Sequence, residues 1–260
     1  MKIQFYKYHG AGNDFVIINN INNEIVLDAN KISFLCNRRL GIGADGLILL
    51  EDSVNNDFSM KFYNSDGEIG TMCGNGGRCV VALAKKLGII DKYTSFNAPD
   101  GVHTAEIIST SDSDSIIKLK MSDVLSVVNN DSDFFIDTGS PHYIKFVDDV
   151  STTDVYNIGK QIRNDYCLEG TNVDFVEIRK ESLFVRTFER GVEDETLSCG
   201  TGVTASALAF AEKSFIPEGN INIYTKGGAL SVCFKKDKAG YKDIWLQGPT
   251  KCVFNGIIDV

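Results

Sequence analysis

Cys73-Gly74-Asn75-Gly76 and Cys199-Gly200-Thr201-Gly202 stand 126 positions apart, and each ends a strand-like run and opens a long apolar helix-like run. The surroundings of the two strings match in order. In the first half, strands are predicted over residues 3–8, 15–19, 47–51 and 58–63. A helix is predicted over about 29–39, with Asp28 as its N-cap and Gly41 as its stop. The Cys73 helix and strands near 102–108 and 116–121 follow. The second half repeats this with strands over 134–137 and 143–147 and a loop at 138–142 between them. A helix then carries Val155, Ile158, Gly159 and Ile162 on one stripe. Strands over 173–178 and 183–188, the Cys199 helix, and strands near 221–224, 230–234 and 244–246 complete it. Phe62 and Phe188 each precede their cysteine by eleven residues. A duplicated α/β unit is the simplest explanation. A polar, turn-prone cluster within residues 121–133 separates the copies.

The two cysteine-led helices set the expected architecture. The first places Val80, Leu83, Ala84 and Leu87 at helical spacing before Gly88, and the second is apolar or small nearly all round from 203 to 211. A helix without a polar face is buried on most sides. Each is therefore expected inside the strands of its own half, an α+β fold with a mostly antiparallel sheet or barrel wrapped around a central helix.

Bulk properties exclude several function classes. The formal net charge is −9 and basic runs are absent, which disfavours nucleic acid as a partner. No stretch approaches the ~18 apolar residues of a membrane span, and the opening residues 1–7 lack the apolar core of a signal peptide. Seven cysteines, at 36, 73, 79, 167, 199, 233 and 252, form an odd set that does not read as a disulfide framework. Reduced thiols in a cytoplasm are expected. Cys36, Cys167, Cys233 and Cys252 read as core filling and Cys79 as structural. Five residues separate Cys73 from Cys79, which is not metal-knuckle spacing, so no metal is expected.

The chemistry resides in Cys73 and Cys199. The glycines after each let the backbone approach a ligand. First-turn amides hold an anion such as a carboxylate, and the same dipole favours thiolate. Two such termini facing each other would grip one carboxylate and place a sulfur on each face of the carbon bearing it. Inverting a stereocentre needs that pair: one group removes the proton and the other delivers one to the opposite face. The bland alternative is two small buried cysteines. A further alternative, a thiol-redox protein, predicts cycling through a Cys73–Cys199 bridge, whereas an epimerase predicts that such a bridge abolishes activity.

Lys7-Tyr8-His9-Gly10-Ala11-Gly12-Asn13-Asp14-Phe15, Cys73-Gly74-Asn75-Gly76-Gly77-Arg78-Cys79, and Glu189-Arg190-Gly191 before Cys199-Gly200-Thr201-Gly202 resemble the diaminopimelate epimerases. Gly139-Ser140-Pro141-His142 and Thr171-Asn172-Val173-Asp174-Phe175 match the family in kind and order, so the resemblance spans essentially the whole chain. It implies a cofactor-independent isomerase interconverting LL- and meso-diaminopimelate, in lysine and peptidoglycan precursor synthesis, with no pyridoxal phosphate. It implies two pseudo-symmetric halves, 1–122 and 123–246, with a C-terminal strand over about 247–260 returning to the first, the site in the cleft between them, and a homodimer.

By the same resemblance Cys73 and Cys199 are the acid/base pair. The amides of Gly74, Asn75, Gly200 and Thr201 receive the reacting carboxylate. Asn64, Asn172 and Arg190 hold the distal end of the substrate, Asn13 and Glu189 position it, and His142 and Glu189 tune the thiols. Ser140 stands where the family commonly has asparagine, and Gly46 where some members have glutamine. A histidine- or proline-racemase-like enzyme on the same scaffold is the alternative; Asn64, Asn172 and Arg190 favour a substrate with a distal amino-acid end.

Overall fold

The computed structural model describes residues 1–166 and 170–260. β1 (Lys2–Gly10) and β2 (Asn13–Asn20) form a hairpin, and α1 (Ala29–Cys36) crosses to β3 (Gly46–Glu51), which lies parallel to β2. β4 (Phe58–Asn64) returns antiparallel, and α2 (Gly74–Lys86) crosses to β5 (Tyr93–Ala98), parallel to β4. β6 (Gly101–Thr110) and β7 (Asp114–Lys120) continue as an antiparallel meander.

The later half repeats this order. After β8 (Val128–Asn130), β9 (Asp133–Asp137) and β10 (Pro141–Phe146) form the hairpin, and α3 (Val155–Tyr166) precedes β11 (Asn172–Arg179), parallel to β10. β12 (Ser182–Glu189) returns antiparallel and carries the short β13 (Asp194–Thr196). α4 (Gly200–Lys213) crosses to β14 (Glu218–Thr225), parallel to β12, and β15 (Gly228–Asp237) and β16 (Gly240–Asp259) end the chain. Both halves thus place parallel pairing at the same two helical crossovers, where a parallel connection requires one.

By packing, Met1–Leu119 with Gly248–Val260 form one unit and Lys120–Gln247 the other. In the first unit the final stretch of β16 pairs with both β1 and β7, so the strands close into a barrel without free edges. α2 runs against β1, β2, β3, β4 and β6, and all its residues from Gly74 to Ala84 are buried. α1 packs on the other face of β2 and β3: Ile32 and Leu35 meet Val16, Ile18, Leu47 and Leu49. Covered on both faces, β3 is buried at every position, as strands in parallel pairs tend to be.

In the second unit α4 packs against β9, β10, β11, β12, β14 and β15. Its Ala205, Ala207, Leu208, Ala209 and Ala211 are all buried, and the small side chains let the strands approach closely. Val155 of α3 packs with Val173, Phe175 and Phe188 on the opposite face. Each fully buried aliphatic or aromatic side chain contributes ~1.5–3 kcal/mol.

The structure differs locally from the sequence reading. α1 ends at Cys36 rather than near 39, because Asn37 adopts φ −66°, ψ 123° and its side chain accepts from the amides of Arg39 and Leu40, both at 2.9 Å. Gly41 is then a packing residue: a Cβ there would lie 2.0 Å from the Phe34 carbonyl. The Asp28 N-cap is present, accepting from the Lys31 amide at 2.9 Å. His142 lies in β10, not in a loop. β5, β8 and β13 had no apolar run to announce them, and β16 is 20 residues long. Cys36, Cys79 and Cys252 are buried, and Cys233 is half-buried with its thiol donating to Asn220 at 3.2 Å. Cys167 lies outside the described residues.

Candidate active site

In the first unit Cys73 is the N-cap of α2, with φ −105° and ψ 122°. It is half-buried. Gly77 donates to its carbonyl at 2.7 Å, so the helix begins at once and its first-turn amides surround the thiol's base. The Asn13 side-chain oxygen accepts from Cys73 Sγ at 3.5 Å and from Asn75 Nδ2 at 3.3 Å.

Charged neighbours orient Asn13. Its Nδ2 donates to Asp45 Oδ2 at 2.7 Å, and Arg38 bridges Asp45 to Asp14 with three bonds of 2.7–2.9 Å. Lys7, buried at 6% exposure, pairs with Asp14 at 2.7 Å and donates to the Gly43 carbonyl. Burial pushes the Asp14 carboxyl up, but bonds from Arg38 and Lys7 outweigh it and hold the group well below the usual carboxylate range.

Arg78 is wholly buried one turn into α2. Its Nη2 donates to Asn75 Oδ1 at 2.7 Å and its Nη1 to the Gly74 carbonyl at 3.3 Å, while Nε has no partner. Burial lowers its pKa, outweighing the opposite influence of Cys79 and Cys73. Asn64 ends β4 on the surface, paired in register with Gly46. A Cβ on Gly46 would lie 2.5 Å from the Phe62 ring and 2.7 Å from the Tyr63 carbonyl. The Phe62 ring thus occupies the space a glutamine there would need.

In the second unit Cys199 is the N-cap of α4, with φ −110° and ψ 115°, and is 7% exposed. Burial pushes its thiol well above the ordinary value, and the charges of Glu189 and Asp174 add to this, against the Thr201 hydroxyl. The side chain of Thr201 lies 3.3 Å from Cys199 Sγ and 2.9 Å from His142 Nε2. Thr138 Oγ1 donates to the Thr201 carbonyl at 3.0 Å. Ser140 Oγ sits 3.1 Å from His142 Nε2 and 3.2 Å from Thr201 Oγ1, so the serine belongs to this cluster.

Asn172 is 4% exposed, and its Nδ2 donates to the Pro141 carbonyl at 3.0 Å while its Oδ1 accepts from the Arg190 amide at 2.9 Å. Arg190 Nη1 reaches the Gly170 carbonyl at 3.3 Å, and Glu189 ends β12 half-buried. The sequence-selected residues Cys73, Gly74, Asn75 and Asn13 thus converge in one unit. Thr201, Cys199, Gly200, His142, Asn172, Glu189 and Arg190 converge in the other.

Sequence reasoning did not single out Lys7, Asp14, Arg38, Asp45 or Arg78, nor Asp174, whose Oδ2 lies 2.7 Å from His142 Nδ1, nor Thr187, whose hydroxyl donates to Asp174 Oδ1 at 2.6 Å. Lys7, Asp14, Arg78 and Asp174 lay inside the quoted strings. A charged residue amid buried neighbours was their available signal. Among the described residues no cluster of histidine, cysteine or carboxylate side chains has the arrangement of a metal site. No helix among them is long and apolar enough to cross a membrane.

A sequence model of the diaminopimelate epimerase family matches residues 5–124 and 134–251, one stretch per half. The chain is 48% identical over 261 residues to a diaminopimelate epimerase of Flavobacterium psychrophilum, covering 98% of this chain and 100% of that one. It is 42% identical over 257 residues to one of Chlorobaculum tepidum, covering 96% and 98%. Among solved structures, a PhzF-family phenazine biosynthesis protein of Bacillus anthracis superposes with a TM-score of 0.80 at 13% identity over 100% of both chains. A hydroxyproline epimerase of Agrobacterium vitis superposes with a TM-score of 0.69 at 14% identity, over 99% of this chain and 92% of that one. The last two likenesses concern the fold.

Proposed function

Because the chain belongs to the diaminopimelate epimerase family, we propose that it interconverts LL- and meso-2,6-diaminopimelate by two-base proton transfer through Cys73 and Cys199. The observation that carries this reading is the repeat of one arrangement in both units: a cysteine as N-cap of a buried helix with glycine directly after it. Helix N-termini hold anions, and the amides of Gly74, Asn75, Gly200 and Thr201 are assigned to the reacting carboxylate.

In this mechanism a thiolate removes the α-proton and the other thiol returns a proton to the opposite face; the roles exchange in reverse. A dipole-stabilised carboxylate lowers the cost of the carbanion-like transition state. Asn64, Asn172 and Arg190 are assigned to the distal, unreacting end, with Arg190 able to pair bidentately with a carboxylate. Asn13 and Glu189 are assigned to positioning, and His142 with Glu189 to tuning the thiols. The product serves lysine and peptidoglycan precursor synthesis. The cytoplasmic location and the homodimer rest on the resemblance, and sedimentation velocity checks the latter.

Incubation with LL-diaminopimelate in heavy water under reducing conditions should give the meso isomer with deuterium at one α-carbon. No exchange, together with turnover of histidine or proline, would establish the racemase alternative instead. Cys73→Ala and Cys199→Ala should each lower epimerisation by at least ~10³-fold, and a near-normal rate in either variant would refute the two-base assignment.

A further inference from the structure

Arg78 is a buried charge that the two-base mechanism does not use. Side chains on a helix lean toward its N-terminus, and this one, fully buried, folds back over the opening turn of α2. Nη2 donates to Asn75 Oδ1 at 2.7 Å and Nη1 to the Gly74 carbonyl at 3.3 Å. Both acceptors are neutral. Nε has no partner, and among the described residues no carboxylate pairs with the guanidinium. Arginine is not deprotonated in proteins, so the charge stays.

Stability does not account for this arrangement. A buried charge without a counter-ion is strongly unfavourable, and a cation at a helix opening also meets the positive end of the dipole. The second unit shows that the local bonding needs no charge. Thr204 stands five residues after Cys199, as Arg78 stands five after Cys73. It too is fully buried, and its hydroxyl donates at 2.9 Å to the carbonyl of Gly200, the counterpart of Gly74. A neutral hydroxyl thus serves at that position in α4, by the back-bonding open to threonine in a helix. In α2 the same position carries a full positive charge. An anion at the helix opening would offset it. The turn is also held firmly: a Cβ on Gly10 of β1 would lie 3.0 Å from the Asn75 carbonyl.

We propose that Arg78 supplies the positive charge of the first unit's carboxylate-holding turn, as a positioning residue that acts from behind Gly74 and Asn75 without touching substrate. This rests on the epimerase reading above, in which the amides of those two residues receive the reacting carboxylate. That carboxylate gains negative charge as the α-proton leaves. A cation already fixed in buried surroundings stabilises the gain without having to reorganise. The two helix openings then differ in kind, with a cation behind the first and a hydroxyl at the same place in the second.

Two alkylating reagents of nearly equal size read this charge. Iodoacetate carries a carboxylate and iodoacetamide does not. Both alkylate the same thiolate, so the ratio of their rates at Cys73 does not depend on the acidity of that thiol. The ratio is measured in reduced protein carrying Cys199→Ala, with modification of Cys73 followed by mass spectrometry. Arg78→Gln keeps a donor for Asn75 and removes the charge. It should lower the iodoacetate-to-iodoacetamide ratio about tenfold, whereas Arg78→Lys should hold it within about threefold of the Arg78 protein. With both cysteines in place, Arg78→Gln should lower kcat/KM for diaminopimelate about 100-fold, and Arg78→Lys less than about tenfold.

A reagent ratio in Arg78→Gln within about twofold of the Arg78 protein overturns the proposal, as does an equal fall in Arg78→Lys and Arg78→Gln. So does an Arg78→Gln kcat/KM within about threefold of wild type. If Arg78→Gln does not fold, Arg78→Met removes the same charge and takes its place in both measurements. Failure of the wild type to turn over either diaminopimelate isomer would refute the epimerase reading instead, and the reagent ratio reads the charge behind α2 in either case.

Discussion

Asn13 contacts the first thiol, and its orientation is set by a network of charges that begins at Asp45. Lys7, Asp14, Arg38 and Asp45 form a network whose most buried cation, Lys7, is 6% exposed. Removing one partner of such a pair leaves a buried charge uncompensated. Asp14→Ala should cost ~3 kcal/mol in urea unfolding. The acid dependence has a definite sign. The folded Asp14 carboxyl is held below its ordinary 3.8, so its share of stability is present above that pH and lost as pH falls further. The gap between wild type and Asp14→Ala should narrow in that acid range.

Cys36 gives the opposite limb. Burial pushes its thiol from the ordinary 9.0 to about 11, so the folded state keeps a proton that the unfolded chain loses. Its stability share is complete below pH 9.0 and lost as pH rises to about 11, ~2–3 kcal/mol at the upper end. Urea midpoints over this range should fall less steeply in Cys36→Ala than in wild type.

Cys73, Cys199 and His142 stand out as candidates in the sequence because each sits in a short, chemically loaded string. Asp174 was not legible as a partner of His142. Between Val173 and Phe175 it reads as one polar residue in an apolar strand. What it touches depends on the register that sets Asn172 opposite His142 and Asp174 opposite Ile144.

At the level of elements, the apolar and Gly-rich patterns announced the two central helices and the strands that pair around them. Boundaries were decided by local hydrogen bonding that no periodicity encodes, as where the Asn37 side chain turns the chain after Cys36. β3 shows why a glycine can be fixed by packing. Gly46 stands against the Phe62 ring and the Tyr63 carbonyl, at 2.5 and 2.7 Å from where a Cβ would lie. Gly46→Gln should destabilise the first unit by ~1–3 kcal/mol or more, seen as a lower Tm, because the ring and the β3–β4 register must both shift. Unchanged stability would mean that the pocket around Phe62 yields easily.

Across the whole molecule the repeated order of hairpin, crossover helix, parallel strand and central helix builds each unit from the same parts. The first unit closes only when the end of β16 pairs with β1 and β7. Deleting residues 248–260 should open two strand edges in that barrel, and the truncated protein should aggregate or lose its cooperative unfolding transition. A soluble, cooperatively folded truncation would show that the seven remaining strands suffice.

The chain's own pattern was enough for the duplication and the two buried cysteine-led helices. Helical spacing, turn residues and a thiol before glycine act within a few positions of one another and are readable wherever they occur. The closure of the first barrel, the fixing of Asn13 by remote charges and the line from Cys199 through Thr201 and His142 to Asp174 came from folding. Each depends on strands far apart in sequence meeting in one register, and on burial, which changes what a charge or a thiol costs.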